Sequence, residues 1–138
     1  MRVVLDTNVT LSGLLWNGTP RRVLEAARNG QIEIFCSAEL VEELEDVLHR
    51  PKLASRLARI GSTPEELLTG YLALVVVIRA APLPVPISVD PDDDAVLACA
   101  LAARAEAVVS GDDDLLRLGV VEQIPILTAA EFLDRLAP

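Results

Sequence analysis

Arg2-Val3-Val4-Leu5-Asp6-Thr7-Asn8 opens the chain, and its reading decides the fold. A strand-length run without polar alternation is what a buried parallel strand needs. An acid directly after it sits at the carboxyl end of that strand, where α/β proteins assemble their sites. The same order returns at Ala107-Val108-Val109-Ser110-Gly111-Asp112-Asp113-Asp114, with the apolar run first and the acids after it. Two further acidic segments lie between them, Glu42-Glu43-Leu44 and Asp92-Asp93-Asp94-Ala95.

Working outward, Arg2 to Leu5 is the first predicted strand, Ile32 to Cys36 the second and Val75 to Ile78 the third. Ala107 to Ser110 and Ile124 to Leu127 are the fourth and fifth. Helical signals alternate with them. Val9 to Leu15 is a short apolar helix or turn. Thr19-Pro20 reads as an N-cap with proline at the first helical position, and Gly30 closes that helix. Ser37 caps a long helix stopped by Pro51. A basic helical stretch ends at Gly61, and Thr63-Pro64-Glu65-Glu66 and Thr128-Ala129-Ala130-Glu131 read as capping boxes. An alanine-rich helix begins at Asp92 or Asp93 and ends near Arg104. This alternation predicts an α/β fold, a central parallel sheet of about five strands with helices on both faces.

At 138 residues the chain is expected to form one domain over 1–138. Its apolar half, 51% of residues, suffices for a core. No apolar stretch reaches the roughly 20 residues needed to span a membrane, and the start turns acidic too soon for a signal peptide. A cytoplasmic protein without membrane association is the expectation. Cys36 and Cys99 lack metal-type spacing and are expected to be buried and reduced. The net charge of −9 argues against a non-specific nucleic-acid binder. It leaves room for a metal-dependent nuclease, because bound ions supply positive charge where the phosphate sits. Charge is uneven: Arg50, Lys52, Arg56 and Arg59 follow one another with no acid between. They are the candidate contacts to nucleic-acid backbone phosphates, though a solvated or partner-binding face would look the same.

Each acidic segment has a bland reading. Asp6 could begin a turn or cap a helix, as Thr7 or Asn8 could. Glu43 and Glu45 flank the stripe of Leu40, Val41, Leu44, Val47 and Leu48 at equal angles, so periodicity leaves them tied. On a helix from Asp93, Asp94 shares its face with Leu97, Ala98 and Leu101. A carboxylate that starts such a stripe must be paired, hydrogen-bonded or metal-bound. Asp92 and Asp93 are explained by favourable placement near a helix N-terminus. Asp112 to Asp114 could form a surface turn. His49, the only histidine, lies near a helix C-terminus without a surrounding catalytic motif. Gathered together, the acids would repel by roughly 3 kcal/mol per pair at about 5 Å and an effective dielectric near 20. A hard divalent cation with oxygen ligands resolves that conflict.

Taken in order, the four segments resemble the acidic motifs of PIN-domain ribonucleases, similar to the VapC-like toxins of toxin–antitoxin pairs and closest to the branch of PIN-family toxins. Val4-Leu5-Asp6-Thr7-Asn8-Val9 with Ser12 resembles the first motif. Ser37 with Glu43-Leu44 resembles the second, which favours Glu43 over Glu45. Asp94-Ala95-Val96-Leu97-Ala98-Cys99-Ala100 and Ser110-Gly111-Asp112-Asp113-Asp114-Leu115-Leu116 resemble the third and fourth. Thr10 and Ser110 depart from the common pattern, but Ser110 keeps a hydroxyl. The resemblance implies a three-layer α/β/α sandwich and hydrolysis of RNA with Mg²⁺ or Mn²⁺ held by Asp6, Glu43, Asp94 and Asp112. Asp114 is an accessory ligand or water holder; Asn8, Ser12 and Ser110 support the ligands. An antitoxin protein and a homodimer are the implied partners. A phosphotransfer or receiver protein is disfavoured because Lys52, the only lysine, comes too early. A catalytically silent PIN-fold binding module is the remaining alternative.

Overall fold

The computed structural model describes residues 1–88 and 90–137. Six strands form one sheet: β1 (Arg2–Leu5), β2 (Glu33–Ser37), β3 (Val76–Ile78), β4 (Ala107–Val109), β5 (Val120–Val121) and β6 (Ile124–Leu127). Their spatial order is β3-β2-β1-β4-β6-β5, and every pairing is parallel except β5 with β6. Among the described residues the eight α-helices are α1 (Thr7–Leu15), α2 (Thr19–Arg28), α3 (Ala38–Leu48), α4 (Ala54–Ile60), α5 (Pro64–Leu74), α6 (Pro91–Ala103), α7 (Asp113–Leu118) and α8 (Ala129–Leu136). A 3-10 turn, Pro51–Leu53, precedes α4. The helices complete the expected three-layer α/β/α arrangement. α6 lies across β3, β2, β1 and β4, and α8 packs on β4, β6 and α2.

β1 is the hinge of the topology. The chain moves from β1 to β2 and β3 on one side, and β4 and β6 build out on the other. The crossovers therefore diverge at the β1–β4 boundary, which leaves a crevice at the carboxyl ends of these two strands. Val3, Val4, Val108 and Val109 are all buried there, so the sheet centre is fixed by apolar packing from both layers. Leu5 is in register with Val109, and the Asp6 amide donates to the Val109 carbonyl at 3.0 Å. This register brings the first residue after β1 beside the first residue after β4.

Three local expectations change. α2 is capped by Gly18, with Thr19 inside the helix and no side-chain cap. Gly18 has φ 137°, a backbone setting that other residues rarely adopt. α1 begins at Thr7, because Asp6 accepts the Val9 amide as its N-cap. The segment before β6 holds α7 and the two-residue β5, whose turn passes through Glu122 and Gln123 at φ 48° and 69°. Thr128 and Glu131 do form the reciprocal capping box at α8.

Gly13 marks a close approach of α1 to α2. A Cβ there would lie 2.8 Å from Leu24 Cδ1 and 3.0 Å from the Pro20 carbonyl oxygen. Gly13→Ala should therefore cost about 1–3 kcal/mol despite its better helix propensity. Chemical denaturation is the check, and an unchanged midpoint would show that α2 yields freely.

Candidate metal and nuclease site

Asp6 is 5% exposed at the end of β1. One carboxylate oxygen accepts the Val9 amide at 2.8 Å. The other accepts the Ser110 hydroxyl and the Gly111 amide, the latter at 3.2 Å. The Ser110 oxygen in turn accepts the Asp112 amide at 2.9 Å. Asp112 caps α7 by accepting the Leu115 amide at 3.2 Å. A chain of hydrogen bonds thus ties the two strand ends together. Burial raises the Asp6 pKa, its three donors oppose the rise, and the Asp112 charge adds to it.

A cleft of about 90 Å³ opens over Asp6. Asp6, Glu43, Asp90, Asp92, Asp93 and Asp112 all line it, with Thr7 and Asn8. Glu43 arrives from α3, and burial raises its pKa most. The Thr7 side chain opposes that rise, while Asp92, Asp6 and Asp90 add repulsion. The tie left by helix periodicity is thereby broken in space: Glu43 lines the cleft, whereas Glu42 and Glu45 are exposed.

Asp94, expected in this cluster, lies elsewhere. Its Oδ1 accepts the backbone amides of Ile87 at 3.2 Å and Ser88 at 2.8 Å. It lines a groove under the proline-rich segment together with Pro86, Pro91 and Ala98. Asp93 takes the place in the acid cleft. The reason is helix phase. One residue turns the helix by about 100°, so Asp93 shares a stripe with Val96, Leu97 and Ala100, all at most 2% exposed. Leu101, expected in the core stripe with Asp94, is only half-buried. Cys99 and Ala98 are buried as well, so nearly the whole helix is apolar and periodicity gave its phase poorly.

Asp93, Asp112 and Asp114 each bring a carboxylate oxygen within 4.8 Å of the others. Burial first, and then the neighbouring Asp112 charge and carboxyl, together raise the Asp93 pKa to about 6. The Ser88 hydroxyl, donating to Asp93 at 3.2 Å, partly restrains the rise. Asp114 is more open and is paired with Arg117 at 3.3 Å. This all-oxygen set of crowded carboxylates fits a hard divalent cation. Asn8 borders the cleft, and Ser12 lies in an adjoining hollow.

The basic stretch is divided in its roles. The Arg56 Nε donates to the Leu15 carbonyl at 2.7 Å, and its guanidinium lies 5.4 Å from the Trp16 ring centroid. Arg56 thereby fastens α4 to the end of α1. Arg50 pairs with Asp46 at 3.5 Å. Lys52 and Arg59 are exposed. Arg56 thus lies at the far end of α1, roughly 13 Å along the helix from Asp6. His49 is exposed at the end of α3, with Nδ1 2.8 Å from the Glu45 carbonyl. Cys36 and Cys99 are buried and free, and burial pushes their thiols up to about 11 and about 12. Neither is an activated nucleophile.

A model of the PIN-domain family matches residues 2–114, and the chain belongs to that family. Its fold is similar to the crystal structure of VapBC2 from Rickettsia felis bound to a DNA fragment from their promoter. That match has a TM-score of 0.61 and 16% sequence identity, and covers 91% of this chain and 97% of the other. No curated protein matches the sequence.

Proposed function

We propose that this PIN domain is a divalent-metal-dependent endoribonuclease that cleaves single-stranded RNA and acts as the toxin of a toxin–antitoxin pair. One observation carries the reading: Asp6, Glu43, Asp93 and Asp112 converge in a single cleft at the carboxyl edge of a parallel sheet. Asp93, Asp112 and Asp114 are the oxygen donors best placed to hold Mg²⁺ or Mn²⁺. When bound, such an ion lowers the pKa of an attacking water and stabilises the leaving oxygen. Asp6 is held in one orientation by Val9, Ser110 and Gly111, which supports a preorganised ligand or anchor. Glu43, with its raised pKa, is suited to take a proton from water. Hydrolysis by such a set leaves 5′-phosphate ends.

The partner is proposed on the same footing. The VapBC2 neighbour is a complex bound to promoter DNA, which supports an antitoxin protein that binds this chain. A homodimer is the expected assembly. No helix among the described residues is long and apolar enough to cross a membrane.

Cleavage of labelled RNA in Mn²⁺, Mg²⁺ or excess chelator tests the reading. Undiminished activity in chelator would overturn it. Glu43→Gln should lose about 10²-fold or more in rate, on the scale of a positioned acid–base group. Glu42→Gln and Glu45→Gln should stay near wild type. A dead Glu45→Gln beside an active Glu43→Gln would reverse the assignment.

Backbone phosphates should meet Lys52 and Arg59, since Arg56 is engaged by Leu15 and Trp16. Replacing Lys52 and Arg59 together by Ala should reduce the salt slope of RNA binding by roughly 1–2, because fewer counterions are released. Fluorescence anisotropy across a salt series measures it. An unchanged slope would assign this face to a protein partner.

A further inference from the structure

Beside the carboxylate cleft lies a second hollow of about 370 Å³, formed where α1, α2, the β4 end and α8 meet. Its character is opposite to that of its neighbour. Among the described residues, six carboxylates line the cleft, whereas no charged residue lines the hollow. Val9, Pro20 and Ala129 supply apolar walls, and Asn8, Ser12 and Thr19 supply polar groups. Among the described residues, those three side chains make no hydrogen bond to the protein. They offer both donors and acceptors to a ligand. Asn8 borders both cavities, and Ser110-Gly111, which hold Asp6, form part of the hollow's wall. The two cavities are therefore adjacent, close enough for one chain to reach from the hollow to the cleft.

We propose that this hollow seats one unstacked nucleoside of the RNA next to the bond that is cut, and that Asn8, Ser12 and Thr19 set the sequence preference at that position. The inference rests on the ribonuclease reading above. Three features favour a nucleoside over other occupants. The volume lies in the range of small-ligand sites. A neutral, mixed polar and apolar surface suits a base and ribose, while the charged phosphate stays toward the metal cleft. Single-stranded RNA presents splayed bases whose edges are read by such side-chain amides and hydroxyls.

The test is cleavage of an RNA pool randomised around the cut, with products sequenced, in Mn²⁺. Wild type is compared with Thr19→Trp, which fills the hollow from its exposed rim, and with Ser12→Ala, which removes one hydroxyl. Wild type should prefer one base at a position flanking the cut. Thr19→Trp should slow the preferred sequence at least tenfold and flatten that preference, and Ser12→Ala should shift it severalfold at the same position. Thermal melting confirms that both variants fold, and Ser12→Ala keeps the proposal testable should Thr19→Trp not fold. The same sequence profile in wild type and folded variants, or an equal slowing of every sequence, overturns the nucleoside seat while leaving the ribonuclease intact. Absence of any metal-dependent cleavage by wild type overturns the ribonuclease reading, and this inference with it.

Discussion

Asp93→Asn should lower metal-dependent RNA cleavage by about 10²–10³-fold, the scale of losing one preorganised charged contact in a site of this kind. Asp94→Asn should remain within about threefold of wild type. The two residues are neighbours of the same type, so composition and local charge cannot explain such a difference. Their settings can. Asp93 is in the acid cleft beside Asp112. Asp94 instead accepts two amides of the proline-rich segment through one oxygen, which asparagine also provides. Asp94→Ala removes that acceptor and should cost about 1–2 kcal/mol of stability. Single-turnover cleavage with each folded variant decides. A dead Asp94→Asn beside an active Asp93→Asn would restore the helix phase expected from the sequence.

The second large effect is on stability without metal. The Asp93 pKa is raised to about 6, first by burial and then by Asp112. The folded protein therefore holds a proton that the unfolded chain has already lost, and ionising Asp93 costs stability. The cost is absent below the unfolded value, near pH 4, and is complete once pH has risen past about 6. Asp93→Asn removes it. In chelator at pH 7.5 this variant should be more stable than wild type by about 1–2 kcal/mol after allowance for solvent screening. At pH 4 the two should be nearly equal. Mn²⁺ at a hundredfold excess over its dissociation constant should stabilise wild type by roughly 2–3 kcal/mol and the variant much less. Melting curves at both pH values, with chelator and with Mn²⁺, measure all of this. Lower stability of Asp93→Asn in chelator, with an equal response to Mn²⁺, would make Asp93 an ordinary helix-start residue.

The strands and the site were unequally legible in the sequence. β1, β4 and β6 are mostly buried apolar runs bounded by polar residues, and β2 alternates buried and more open positions, so local pattern alone locates them. β5 is two residues long and owes its place to the turn at Glu122 and Gln123, which no periodicity announces. Asp6 and Asp112 could be placed because each follows a strand end, a position defined by chain order. Asp93 could not, because its role depends on rotation about α6. Val96 through Ala100 are all buried, so the helix lacks the polar face that would have revealed its phase. One signal was available: Asp93 is followed at three, four and seven residues by Val96, Leu97 and Ala100, a stripe as apolar as the one assigned to Asp94. Arg56 shows a different limit. Its basic neighbours suggested phosphate contact, but the Leu15 carbonyl, 41 residues earlier in the chain, and the adjoining Trp16 indole engage it.

That indole is the chain's one tryptophan. Trp16 is 41% exposed and carries a guanidinium against its ring, so its emission responds to the α1–α4 junction and hardly at all to the carboxylate end of the sheet. Intrinsic fluorescence is thus a spatially selective optical probe in this molecule. A fluorescence transition that coincides with loss of far-ultraviolet dichroism identifies a single cooperative unit. One that comes earlier means that α4 and the basic face detach while the sheet and its acidic edge are still intact.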